Sequence, residues 1–447
     1  MTVAAPTATE RAGVWGSAPL VVALCAFLPM ILIGLIGLHY ADALRLLLPM
    51  DLTNFSASRA MLSGFLHNSG HGDSWLPMMH ALDTLKGPDR NALYQTLFFE
   101  AHIRFQYPPT SLLPPDFLGR LGLLSVRALN AINCAVFACN AGTMALLAWL
   151  LFRRPSRAIL PPASAMAVIA FAAAFLFYPL VRANLLGQIQ LWIDLLFTLT
   201  ALCWLLQRRL AAGFLIGLAC TIKPQMGLLL LWGLAWREHR FVIGIVAGVV
   251  PPLLLSLWLY GFANHLAYLD VLGFLSRHGE SYFANNSVNG ILNWYLSPDD
   301  SLRWNDNAFP PFNPIIYAGT LAASLAALAA LLIPALLGRA QRATLADLGA
   351  GAICTIVGSP VAWEHHYGIL LPLYLVALRA IFTTQGRART ALIAALTGSW
   401  ILVANFIPVT AFLAHGWAVA AQAYCLFGAL LLLAILLARG NTAPVRS

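Results

Sequence analysis

The chain has 447 residues, of which 60% are hydrophobic and 10% charged, and its mean hydropathy is +0.77. A soluble domain of this length does not have that composition, so the sequence implies an all-α polytopic membrane protein and shows none of the alternation of a β-barrel. The net charge of +9 does not signal nucleic acid, because the arginines cluster at the ends of apolar runs, at 153/154/157, 208/209, 237/240, 339/342 and 387/389, as the positive-inside rule distributes them.

The first apolar run, residues 18–38, follows Arg11 and is longer than the core of a cleaved signal. It reads as a retained first helix that carries the chain outward into a large polar loop, residues 51–109. Residues 128–152 return the chain to the arginine cluster around Arg153. Residues 163–181 lead out again, RANLLGQIQ forms an outer turn, and 189–206 come back to Arg208 and Arg209.

The segment 210–236 has the length of one span, yet it is flanked by arginines at both ends and interrupted by Thr221-Ile-Lys-Pro-Gln225. A single crossing would place every later arginine cluster outside. Two short helices meeting at Lys223-Pro224 restore the parity, because proline lacks a donor and disfavours helix at the residue before it. Broken helices at membrane depth are tolerated where they line a cavity. The later spans are then 241–260 out, 314–337 in, 343–357 out, 367–382 in, 391–407 out and 417–437 in, with residues 261–313 a second large outer loop. The count is about twelve segments, two of them short. No internal repeat or soluble domain is visible, so residues 1–447 form one membrane domain. All seven cysteines fall inside apolar runs and read as packing residues.

This topology gathers four polar pieces on the outer face: the first loop, RANLLGQIQ, the second loop and SPVAWEHH at 359–366. Asp51 directly follows an apolar span, where it either caps the helix after it or acts as a general base at the membrane surface. Lys223 is one of two lysines in the chain; a lysine beside proline in an apolar run either bonds the carbonyls that Pro224 frees or binds phosphate as a point charge. His365 and His366, after Trp363 and Glu364, are either an interfacial polar corner or a proton relay and phosphate ligand. Asn184, Gln188 and Gln190 sit where a helix re-enters the membrane, and Asn285, Asn286, Ser287 and Asn289 form an amide-rich patch. Both suit recognition of sugar hydroxyls, with Tyr282 and Trp294 placed to stack on a ring, and both equally suit a solvated loop. Asp194 lies inside a span and needs a hydrogen-bond partner. A histidine pair without further ligands at metal spacing gives no metal site. No P-loop, dinucleotide turn, nucleophile elbow or zinc-protease helix is present.

The blocks DLTNFSASRAMLSG, ALY at 92–94, FQYPP, LLGQIQ, GFLIGLACTIKPQMGLLLL, NNSVNGIL and SPVAWEHHYGILLP, in this order, resemble glycosyltransferase family 87, the polyprenol-phosphate-mannose-dependent mannosyltransferases of the GT-C fold. The resemblance implies a metal-independent, inverting transfer of a hexose from a polyprenyl-phosphate-sugar donor to a lipid or glycan acceptor at the outer leaflet of a bacterial inner membrane, with both termini cytoplasmic and no cofactor. It casts Asp51 as the base, and His365 or His366 as proton relay or phosphate ligand. Lys223, with Arg59 or Arg104, would stabilise charge on the leaving phosphate. The substrate contacts expected besides these are Tyr107, Gln188, Gln190, Asn286, Ser287 and Trp363. The chain departs from the family pattern in having Leu52 where an aromatic usually follows the aspartate, and in a longer segment 65–91, which bears on the acceptor more than on the reaction class. A transporter or flippase would use a broken helix too, but its polar residues should lie at the midplane between related halves. A histidine-dependent acyltransferase would leave Asp51 and the long aromatic loop without a role.

Overall fold

The computed structural model describes residues 70–154, 160–297, 300–305, 308–337 and 342–440. The expected first helix at 18–38, Asp51 and Arg59 lie outside the described residues. Among those described there are sixteen α-helices joined by short 3-10 and π-helical turns; the extended pairing consists of one isolated bridge, Asn285 with Trp363.

The first outer loop is less open than its polarity suggests. It carries α1 (Trp75–Lys86) and a π-helical turn Gln95–Glu100, and after it Pro108-Pro109 leads into the short α2 (Leu113–Arg120). The spans follow. α3 (Val126–Arg153) starts where the Ser125 side chain accepts from the Ala128 N–H, and it packs along α4 (Ala163–Leu176). The single helix expected at 163–181 is instead α4 and α5 (Tyr178–Leu186), bent by 49°. Pro179 cannot donate to the preceding turn, and the Tyr178 N–H leaves the helix to bond Ala404 O at 3.1 Å.

α6 (Gln190–Leu205) leads to the interrupted segment. There α7 (Arg209–Cys220) ends, Lys223 is extended at φ −129° and ψ 99°, and Pro224–Gly227 forms a 3-10 turn before α8 (Leu228–Ala235). The break therefore falls at Lys223-Pro224, as the charge parity required. α9 (His239–Tyr260) then crosses α7 so closely that a Cβ on Gly213 would lie 1.9 Å from Phe241 O, and one on Gly217 2.4 Å from Ile245 O. Gly244 and Gly248 face back in the same way, at 2.2 Å from Leu210 O and 2.4 Å from Phe214 O. Small residues four apart on both helices give the backbone-to-backbone packing that lipid, which supplies no hydrophobic drive, requires. Gly217→Val is accordingly expected to destabilise the fold by about 3 kcal/mol, read as loss of the monodisperse peak and a lowered melting temperature in detergent. Gly142→Val on α3, where a Cβ meets nothing within 4 Å, should be tolerated.

The second outer loop, read from the sequence as one polar loop at 261–313, contains α10 (Phe262–His278) and α11 (Val288–Leu296). Phe262, Leu266 and Leu269 on α10 recur at helical spacing and are exposed, while Tyr268, Val271 and Leu275 are buried on the other side. α12 (Pro314–Leu336), α13 (Leu345–Val357), α14 (Leu371–Thr383), α15 (Gly386–Val403) and α16 (Tyr424–Gly440) complete the order. The last span starts later than expected, since Trp417 lies in a turn and is 90% exposed.

Among the described residues, five stretches are long and apolar enough to cross a bilayer, Val126–Arg153, His239–Tyr260, Pro314–Leu336, Glu364–Thr383 and Val419–Ala438, with α4 and α5 a sixth if the bent pair is one span. Four apolar helices are shorter: Gln190–Leu205, Arg209–Cys220, Pro224–Ala235 and Leu345–Val357. On α9, Ile243, Val246, Leu254 and Trp258 point outward, and on α12 Ile315, Leu325 and Leu336 do the same. Such continuous exposed apolar rows are stable against lipid, not water. The chain is a helical membrane protein.

Candidate active site

The described parts of the four polar pieces that the sequence reading gathers on one face converge on one cavity of about 1490 Å³. Its wall takes Asp73 from the first loop, Arg104 and Tyr107 from the strand-like run before Pro108, Arg182 from α5 and Gln188 from the α5–α6 turn. Lys223 enters from the broken segment, Tyr282, Arg303 and Trp304 from the second loop, and Trp363, His365 and His366 from the turn before α14. Four basic side chains, Arg104, Arg182, Lys223 and Arg303, and two carboxylates, Asp73 and Glu364, line it. Arg104 and Arg303 are paired with Glu280 and Asp300. Leu76, Leu186, Leu272 and Leu275 add apolar wall.

Lys223 is held by a buried relay. Its Nζ donates to Gln190 Oε1 at 2.7 Å, and Gln190 Nε2 donates to Asp194 Oδ1 at 2.8 Å. Asp194 is fully buried and its Oδ2 has no hydrogen-bond partner among the described residues. It fits only because residue 368 is glycine, where a Cβ would come within 2.3 Å of Oδ2. The ammonium has three donors and spends one on Gln190, so the side chain the sequence marked as either structural or phosphate-binding keeps donors for a ligand. Gln190 itself is buried and absent from the cavity wall; it positions Lys223.

The histidine turn is fixed from behind. Glu364 accepts from Tyr178 OH at 2.7 Å and from Tyr424 OH. Tyr367 OH donates to Asn286 O. The two imidazoles stand edge to face with centroids 4.8 Å apart, and His366 Nδ1 has no partner among the described residues.

The amide patch does a different job from the one expected of it. Asn286 and Ser287 are fully buried and do not reach the cavity. Asn285 Oδ1 accepts from Ala362 N at 2.9 Å, Ser287 Oγ donates to Pro360 O at 2.9 Å, and Asn286 Oδ1 accepts from Cys425 N at 3.0 Å. Together they clamp the run 360–364 that presents the histidines. Trp294 is likewise off the wall, its Nε1 donating to Ser281 O at 2.8 Å.

Arg104 lines the cavity with its guanidinium already engaged. It forms an ion pair with the nearly buried Glu280, donates to Ala308 O at 2.8 Å, and lies 4.2 Å from the ring centres of both Trp304 and Phe309. Burial pushes the Glu280 carboxyl above its usual range, against the opposing pull of Arg104. This latch ties the FQYPP run to the second outer loop. Trp363 packs against Trp304 with centroids 5.7 Å apart, extending the aromatic wall.

The model of glycosyltransferase family 87 matches residues 105–360, more than half of the chain. The chain belongs to glycosyltransferase family 87. Comparison with curated proteins and with solved structures gave no match. The family 87 match spans the FQYPP run, LLGQIQ, the broken segment and the amide clamp, and ends just before the histidines.

Of the residues marked in the sequence of this family 87 glycosyltransferase, the structure brings Lys223, Arg104, Tyr107, Gln188, Trp363, His365 and His366 to one cavity, and leaves Gln190, Asn286 and Ser287 behind it. Asp73 and Arg182 on the wall were not singled out. Arg182 carried a usable signal, being a cation away from every arginine cluster that the charge reading places inside. Asp73 had none within its own stretch, since its place depends on contacts more than a hundred residues away.

Proposed function

We propose that this glycosyltransferase moves a hexose, mannose by family resemblance, from a polyprenyl-phosphate donor to a lipid or glycan acceptor. The acceptor hydroxyl attacks the anomeric carbon from the face opposite the phosphate, the carbon–oxygen bond to phosphate breaks, and the configuration inverts. Asp51 takes the hydroxyl proton, and the lipid phosphate leaves carrying the bond's electron pair. Lys223 and Arg182 stabilise that charge, for which fixed cations in a low-dielectric site are well suited. His366, with His365 beside it, donates to a phosphate oxygen or relays the proton. The enzyme is multi-pass in the bacterial inner membrane, about twelve segments in the GT-C arrangement, with both termini cytoplasmic and the cavity on the outer side.

The observation that carries this reading is the convergence of cations, a histidine pair and hydroxyl-binding groups on one part-apolar cavity within the membrane protein. A lipid-linked donor explains why these groups lie among the spans. The test supplies purified protein in lipid nanodiscs with radiolabelled polyprenyl-phosphate-mannose or with nucleotide-linked mannose, plus bacterial lipid extract. Label is expected to move only from the lipid-linked donor; transfer from the nucleotide sugar alone would overturn the donor assignment.

A further inference from the structure

α6 is apolar along most of its length, yet Gln190, Asp194 and Thr198 recur four apart on one face and all three are buried. A carboxylate inside such a span is costly unless a partner offsets it, which makes it a functional candidate. The Thr198 hydroxyl donates to the Asp194 backbone carbonyl at 2.9 Å, and the carboxylate takes its hydrogen bond from Gln190. Asp194 is absent from the cavity wall, on which Lys223, His365 and His366 stand.

The orientation of Gln190 follows from its two partners. An ammonium only donates, so the amide must turn its oxygen to Lys223 and its nitrogen to Asp194. An asparagine at 194 would accept from that nitrogen as well; what it would not supply is a negative charge two hydrogen bonds from the half-buried ammonium. On its other side the carboxylate is pressed against the histidine turn. A Cβ on Gly368 would lie 2.3 Å from Asp194 Oδ2 and 2.6 Å from both Cγ and Oδ1, so the backbone of that turn limits how the carboxylate can rotate. Gly368 belongs to the same 3-10 turn, Glu364–Leu370, as His365 and His366. The buried charge therefore stands behind the wall with Gln190 and Lys223 on one side and the support of the histidines on the other.

We propose that Asp194 is a positioning residue: as the buried counter-charge of Lys223, oriented by Gly368, it holds the lysine in register with His365 and His366 before a donor phosphate arrives. The assignment rests on the glycosyltransferase reading for its kinetics but has a stability test of its own. Asp194→Asn keeps the shape and the acceptor for Gln190 and removes the charge. Lys223→Ala leaves the carboxylate buried without a counter-charge, so in nanodiscs adding Asp194→Asn to it is expected to raise the melting temperature, whereas the same change in the wild type lowers it. An equal shift in both backgrounds, or failure of Asp194→Asn to fold with and without Lys223→Ala, would overturn the proposal. With polyprenyl-phosphate-mannose as donor, Asp194→Asn is expected to lower the donor kcat/KM about 10- to 100-fold, the cost of misplacing a preorganised group. Part of that loss should appear in the donor KM, which a smaller amount of folded enzyme does not change. In the Lys223→Ala background the same substitution should cost less than about threefold, since the two residues act as one unit. A full further loss there, or a fall confined to kcat, would mean that Asp194 does not act through the lysine. Gly368→Ala, which crowds the carboxylate from the histidine side, should lower transfer as Asp194→Asn does in both backgrounds; if it costs nothing, the part assigned to the turn falls. If no protein transfers label, wild type included, and the melting shifts keep their opposite signs, the proposed reaction is refuted and the pairing of Asp194 with Lys223 stands.

Discussion

Lys223→Ala is expected to lower transfer from the lipid-linked donor by about 10²–10³-fold at unchanged expression, the usual cost of removing one preorganised group from developing charge. The ammonium sits at the break between α7 and α8, anchored through Gln190 to Asp194, so its position does not depend on the ligand. The size of the loss follows from that preorganisation: a lysine that had to be ordered on binding would contribute less. Lys223→Arg should recover little, because a forked guanidinium cannot reproduce a single short bond to Gln190 in a half-buried site. The measurement is labelled mannose transferred by membranes carrying each variant, with a melting curve of purified protein beside it. Transfer within threefold of wild type would mean that the lysine only braces the break, and a large fall in melting temperature with proportionate activity would say the same.

Asp51→Asn is expected to abolish transfer to within detection, a loss of about 10²–10⁴-fold, because an amide of the same shape cannot take the acceptor proton. Helix capping would survive the change, since asparagine caps as well as aspartate. The two roles that the sequence allows Asp51 therefore separate in one assay. If both proteins transferred equally, Asp51 would be a cap, and the base would have to be sought among His365, His366 and the cavity-wall carboxylates Asp73 and Glu364.

Local chemistry made part of this architecture legible in the chain itself. The break at Lys223-Pro224 announced itself because proline and arginine parity act on the residues beside them. The histidine turn and LLGQIQ were visible as polar runs between apolar spans. The bend at Phe177 was missed although Pro179 stood in the sequence, because hydropathy runs through it without change. α10 was missed although its apolar residues recur at helical spacing, because interspersed Asn264, His265 and Asp270 give it the polarity of a loop. The roles of the amides were hidden for a different reason. Nothing near Asn285, Asn286 and Ser287 says whether their hydrogen bonds go to a sugar or to backbone some 75 residues on, and only the fold shows that they hold Pro360 and Ala362. The family resemblance casts Arg104, or Arg59, as stabilising charge on the leaving phosphate, and nothing near Arg104 shows that its acidic partner lies 176 residues away.

The clamp behind the histidines also sets an order of events during synthesis. Glu364 is held by Tyr424, and Asn286 by the backbone of Cys425, both at the start of α16. The turn that presents His365 and His366 therefore gains supports from a helix that begins 60 residues after Glu364. Until that helix inserts, the nascent chain can hold its earlier spans in the bilayer without a finished reaction centre.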